Sequence, residues 1–410
     1  MSGRLRSTYN EFPRRFWVLV AATFIDVVGE SALFPFFALY VTSRFEVGMA
    51  TAGVLFGIVS LSGLFGGMIG GALADRFGRR GVCIFGLVFS ALSALALGFV
   101  GRLSLLYWVA VPIGLLTRIA GPAYHAMVAD LVPEDKRTEG FGILRVGVNL
   151  AWMVGPSIGG FLAARSFLTL FVLDAAISLL TAGIVFLALP ETRRAHPVKE
   201  EQSGLLHSLA GYGLVAADRV FLGFVGASML MWGAYQQVNT TLSVFLRDAR
   251  SVSAQGYGLL MSINATTVVL LQFWITGKVK ARPPALMMAF GTLFFLLGFI
   301  MFGWVVPYSL MIAAMLLLTF GEMIVVPVGQ ALVARLSPED MRGRYAAFYG
   351  LASSVPSVVA PWAGGTILDR YNPNWLWYWA AAACALAALG FLTLHQRSRQ
   401  RLASPAGFTA

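Results

Sequence analysis

Apolar stretches of about 20 residues, the length a helix needs to cross a ~30 Å hydrocarbon layer, recur along the whole chain. Short segments rich in Arg, Gly, Pro and acidic residues separate them. The pattern predicts twelve spans, near 16–41, 51–74, 82–101, 104–128, 140–163, 168–189, 220–246, 255–276, 285–305, 308–334, 344–367 and 374–395. The longest polar stretch, 190–218, divides the chain into 1–189 and 219–410, with six spans in each part. The expectation is an all-α membrane protein of twelve transmembrane helices in two six-helix bundles, joined by a cytoplasmic linker.

Composition supports this class. Hydrophobic residues make up 58% of the 410 positions and charged ones 12%, against about 25% charged in soluble domains. A mean hydropathy of +0.75 leaves too little polar surface to cover a water-soluble fold. Disordered, collagen-like and disulfide-scaffold classes are excluded. The basic segment Met1–Arg15 precedes an apolar run with no small-residue cleavage pattern, so that run reads as the first span and not as a signal peptide.

Charge then fixes the orientation. With a cytoplasmic N-terminus, 22 Lys and Arg fall in cytoplasmic segments and 6 on the other side, leaving Arg118 and Arg145 within spans. Lys and Arg accumulate on the cytoplasmic side of membrane proteins, so both termini are expected there. The net charge of +11 sits in short loops. No basic amphipathic helix or aromatic-interleaved stripe points to nucleic acid.

An internal repeat is visible at an offset of 205. It pairs Pro133-Glu134-Asp135-Lys136-Arg137 with Pro338-Glu339-Asp340-Met341-Arg342, Pro122 with Pro327, Pro156 with Pro361, and Gly159-Gly160 with Gly364-Gly365. Two halves of the same in–out sense are the plan of one large transporter class.

Between spans 2 and 3 stands Gly71-Ala72-Leu73-Ala74-Asp75-Arg76-Phe77-Gly78-Arg79-Arg80. It resembles the G-x-L-a-D-r-x-G-r-[RK] loop of the major facilitator superfamily, and the likeness extends over the whole chain. The resemblance implies a conformational latch of Gly71, Asp75, Arg76, Gly78, Arg79 and Asp130. In it Asp75 faces the N-terminus of span 11 near Arg342–Tyr345, and Arg76 and Arg79 pair with Asp130; the bland alternative is a topogenic charge cluster. In span 5, Gly155-Pro156-Ser157-Ile158-Gly159-Gly160 resembles the G-P-x-x-G-G element of the drug/proton antiporter branch, the multidrug efflux type. Gly155, Pro156, Gly159 and Gly160 equally suit close helix packing. The same residues fit G-x-S-x-G, but that hydrolase elbow needs a strand-to-helix turn. Exporters of this branch carry an Arg early in span 4. Here the position is Ala110, and Arg118 lies farther along the span.

Acids inside spans supply the candidate chemistry, since each is costly there unless protonated, paired or wet. Asp26 and Glu30 stack one turn apart in span 1. They read as proton-coupling groups or as partners of Arg118 or Arg145. Asp26 matches an acid common in that span of the family. Glu322 in span 10 is the sole acid in a span of the second half, and no Lys or Arg lies in a span there. It resembles the span-10 acid of some bacterial multidrug/proton antiporters. Asp174 in span 6 reads as structural and His125 as a packing residue. Phe34, Phe37, Arg118, Arg145, Trp232, Tyr235, Gln236, Asn239 and Asn264 are candidates for a substrate cavity or for an ordinary packing face. The pairs Gly66/Gly70 and Gly67/Gly71 suit intrachain packing.

The resemblance and these acids point to a proton-coupled, monomeric exporter in a bacterial plasma (inner) membrane. The expected cargo is a lipophilic cationic or neutral amphipathic compound, moved by alternating access. A lipid or metabolite carrier without proton coupling is the alternative. No enzyme constellation is expected: the four His form no H-E-x-x-H, and Cys83 and Cys384 imply neither disulfide nor metal. No G-x-x-x-x-G-K-[ST] occurs, so the proton gradient, not a nucleotide or cofactor, is the expected energy source. Partners are the substrate, protons and membrane lipids.

Overall fold

The computed structural model describes residues 11–192 and 213–403. Most of the expected linker 190–218 and the basic segment 1–10 lie outside them. Every described element is helical.

The first span starts as α1 (Arg14–Leu33), passes through a 3₁₀ turn at Phe34–Phe36, and resumes as α2 (Phe37–Phe45). Pro35 inside that turn has no N–H to continue the ladder. There follow α3 (Met49–Phe77), α4 (Arg79–Phe99), α5 (Leu103–Thr117), α6 (Ala120–Leu131), α7 (Arg137–Ala163) and α8 (Phe167–Ala188). The second half contributes α9 (Arg219–Thr240), α10 (Leu242–Arg250), α11 (Ala254–Val279), α12 (Pro284–Trp304), α13 (Tyr308–Leu336), α14 (Arg342–Arg370) and α15 (Trp375–Ala403).

Eleven stretches among the described residues are long and apolar enough to cross a membrane. The remaining expected span, 220–246, corresponds to α9, which has the length. Its row of polar side chains, from Tyr235 through Asn239, lowers its hydropathy. Met68, Trp108, Leu187 and Phe273 are 75%, 79%, 83% and 81% exposed, which in a membrane protein is lipid-facing surface.

The expected fourth span is broken into α5 and α6 at Arg118–Ile119. Pro122 explains the position. It cannot donate to the carbonyl four residues back, which is that of Arg118, and its ring crowds that carbonyl. Thr117 bends the end of α5 further by donating to the Ile113 carbonyl at 2.8 Å. Its repeat mate Pro327 sits within the continuous α13.

The helices gather into two compact units. The first holds residues up to Val47, Val54–His196 and Ser251–Val269; the second holds Gly48–Gly53, Pro197–Arg250 and Leu270–Ala410. In the first, α1 packs on α7 and α8, and α4 packs on α8. In the second, α9 packs on α14 and α15, and α12 packs on α15. These are the same three pairings shifted by six spans, as the repeat at offset 205 requires. The second unit is centred on fully buried Trp377, whose ring lies 5.1 Å from Phe245 and 5.3 Å from Phe302.

Small residues set the closest approaches. A Cβ on Gly66 or Gly70 of α3 would collide with the Leu115 and Ile119 carbonyls, whereas Gly67 faces open space. The span-5 motif acts likewise. Gly155 and Gly159 lie against Ser31 and the Ala32 carbonyl of α1, and Gly160 against Ala254 and Gly258 of α11. Ser157 joins the same contact by a 2.7 Å hydroxyl–hydroxyl hydrogen bond to Ser262.

Candidate functional site

Within the first unit a cavity of about 300 Å³ opens among α1, α3, α4, the α5/α6 break and α8. Asp26 and Glu30 line it, as their spacing on one helix face predicts. So do Phe34, Phe37 and Arg118, each placed at a helix break. The proline-induced interruptions thus turn these three side chains toward the acids. Phe34 and Phe37 both meet Phe56 edge to face, at 5.8 and 5.4 Å between centroids, forming an apolar wall.

Further polar groups reach the cavity. Asp174 and Ser178 of α8 are one turn apart and both buried. Ser178 lines the cavity together with Asp26. Asp174 presses against α1 at Gly29, where a Cβ would stand 2.8 Å from its Oδ1. The Tyr124 hydroxyl, from α6, is buried there with no hydrogen-bond partner among the described residues. Asp174, expected from the sequence to be structural, lines the same cavity as Asp26 and Glu30. Arg145 is exposed and does not line this cavity, and the ion pairs of the described residues include neither it nor Arg118.

In the second unit, the Tyr235 hydroxyl donates to Glu322 Oε2 at 2.6 Å. Trp232 stands edge-on to Tyr235 at 5.6 Å, and Phe295 lies 5.1 Å from it. Gln236 and Asn239 are half-buried on the same helix. Asn264 groups instead with the first unit. Gln237, which sequence reading passed over, is buried and donates to the Ala360 carbonyl at 2.8 Å. It fastens α9 to α14.

At the corner between α3 and α4, Gly78 has φ +97°, a conformation that side chains with a Cβ resist. The turn lets Arg79 form an ion pair with Asp130 at the end of α6. Arg76 instead lies over the Phe77 ring at 5.3 Å, so of the two expected arginines Arg79 holds Asp130. Glu191 accepts from the Arg79 N–H at 2.8 Å, supplying the side-chain cap that α4 lacks locally. Asp75 and Gly71 lie on the last turns of α3. Asp75 belongs to the first unit and Arg342–Tyr345 to the second.

Comparisons with known proteins agree with this architecture. The family model of the Major Facilitator Superfamily matches residues 19–361 and 238–408. A Na(+), Li(+), K(+)/H(+) antiporter of Planococcus maritimus is 29% identical over 80% of this chain and 84% of its own length. Multidrug resistance protein 2 of Bacillus subtilis is 23% identical over 89% of this chain and 91% of its own. In three dimensions the nucleoside transporter NupG superposes with a TM-score of 0.81 at 13% identity, covering 93% of this chain and all of that one. At that identity the likeness shows the fold.

Proposed function

We propose, for a chain that belongs to the Major Facilitator Superfamily, that it is a proton-coupled exporter of lipophilic cationic or neutral amphipathic compounds. It works by alternating access between two six-helix halves, in the plasma membrane and as a monomer, with twelve crossings and cytoplasmic termini. The observation that carries this reading is the placement of ionisable groups. Asp26 and Glu30 line a cavity walled by Phe34, Phe37 and Phe56, and no described ion pair neutralises them. Carboxyls at membrane depth without a basic partner take up protons or attract cations. Low-dielectric aromatic walls add dispersion and cation–π attraction for an organic cation, about 0.5–2 kcal/mol per contact.

In the mechanism, protons and substrate compete for the same negative charge. Protonation of the cavity carboxyls from the outer side lowers the affinity for a cation and releases it there. Deprotonation toward the cytoplasm restores the affinity. Glu322, held by Tyr235, provides a second protonatable position. The corner that carries Asp75 and the Arg79–Asp130 ion pair gates the cycle.

The test is efflux of ethidium, a lipophilic dye cation, from cells lacking their own pumps, with and without a protonophore. Export that collapses with the protonophore supports the reading; export of an anionic dye of similar size alone refutes it. A second reading follows from the acidic cavity together with the relative of Planococcus maritimus named above. It takes an inorganic monovalent cation as cargo, and proton flux driven by added Na(+), Li(+) or K(+) without dye transport would establish it.

A further inference from the structure

The cavity of the first unit holds one more carboxyl than proton exchange by α1 alone requires, and its placement gives it a task. Asp174 is 8% exposed, and its Oδ1 packs on the bare Cα of Gly29. Gly29 is the residue immediately before Glu30 and three after Asp26. Helices α1 and α8 are adjacent. They present two ladders one turn apart, Asp26/Glu30 and Asp174/Ser178. Both ladders line the one cavity. No hydrogen bond or ion pair is formed by Asp174 among the described residues, although it is buried. The Tyr124 hydroxyl lines the same cavity, buried and equally without a partner.

The charged and titratable groups around Asp174 are few. From α1 come Asp26 and Glu30, and from the α5/α6 segment Arg118 and Tyr124; none of the α4 residues in the lining is charged or titratable. Arg145 on α7 is exposed and turned away from the cavity lining. Three carboxyls lining one small cavity beside a single basic side chain, Arg118, leave more negative charge than that group offsets, and a proton supplies the rest.

We infer that Asp174 is a proton-carrying member of the cavity cluster, sharing one exchangeable proton with Glu30 and Asp26, so that the coupling site spans α1 and α8. The proton arrives from solvent on one carboxyl oxygen, passes between neighbouring carboxyls, and returns to solvent; only O–H bonds are made and broken. Gly29 is the positioning residue that admits Asp174 to the surface of α1. This rests on the proton-coupled reading above for its physiological meaning, but not for its test.

Asp174→Asn keeps the shape and removes both the charge and the proton site. Two readouts are taken on protein reconstituted in lipid. The first is the infrared band of protonated carboxyls followed through a pH titration. The second is ethidium transport against pH, with protonophore controls. Loss of one carboxyl changes how tightly the others hold the shared proton, so the midpoint moves by about one pH unit, a tenfold change in proton affinity. The smaller Asp174→Ser gives the same shift if the Asn variant folds poorly. Gly29→Ala, which pushes Asp174 off α1, moves the midpoint in the same direction by less. An infrared midpoint and amplitude unchanged in both Asp174 variants overturns the inference. Wild-type transport insensitive to the protonophore, with the infrared shift present, overturns the coupled-export reading and leaves Asp174 as a member of the shared-proton cluster.

Discussion

Tyr235 and Glu322, 87 residues apart in the chain, meet through a 2.6 Å hydrogen bond inside the second unit. The carboxyl of one membrane helix thereby gains a hydrogen-bond donor from another. A hydrogen bond to a charged group contributes about 1.5–3 kcal/mol. Tyr235→Phe is therefore expected to lower pH-gradient-driven transport by about tenfold while leaving insertion intact. Glu322→Gln should abolish pH-gradient-driven accumulation while the protein still inserts. Dye transport in proteoliposomes at stepped pH measures both, and unchanged uphill transport in Glu322→Gln assigns the residue a structural role.

Gly78 carries φ +97°, and a Cβ there would collide with the Glu191 carboxylate. Gly78→Ala should cost about 1–3 kcal/mol from backbone strain alone, with the displaced cap adding to it. The expected outcome is a lower melting temperature in detergent and weaker transport at equal expression.

Asp369 accepts from the Met49 and Ala50 N–H groups, at 2.8 Å each, and so caps the start of α3 from α14. Loss of a helix cap costs about 0.5–2 kcal/mol. Asp369→Asn should fall between wild type and Asp369→Ala in amide hydrogen exchange at residues 49–53. Equal protection in all three variants would show that the cap contributes nothing.

Orientation is checked by thiol labelling. Cys83 and Cys384 are buried, so background reactivity is low. A Cys at exposed Glu134 should react in intact cells with membrane-permeant reagents alone, and one at Arg102 with impermeant reagents too. The reverse pattern inverts the topology.

The spans themselves are legible in the chain because hydropathy alone defines them: 285–305 against Pro284–Trp304, and 51–74 against Met49–Phe77. The break at Arg118 had a local cause in Pro122 that hydropathy does not register. Asp26 and Glu30 were legible as a pair because one helix carries both. Asp174 was not, because its relation to them depends on α8 lying beside α1, and the apolar run around it resembles any other span. The bond between Tyr235 and Glu322 is hidden for the same reason: both residues stand out by type, and only the packing of α9 and α13 joins them.

Glu191, just beyond the end of α8, accepts from both the Arg79 and Thr192 N–H groups, which matters for anyone dividing this polypeptide into separately expressed halves. The hydrophobic pattern alone invites a cut after Leu189, where the sixth span ends. That fragment would leave α4 with its first amides bare at the corner that also holds Arg79 against Asp130. A cut after Thr192 keeps the carboxylate with the helix it caps, so three residues decide whether the first fragment carries its own signature loop intact.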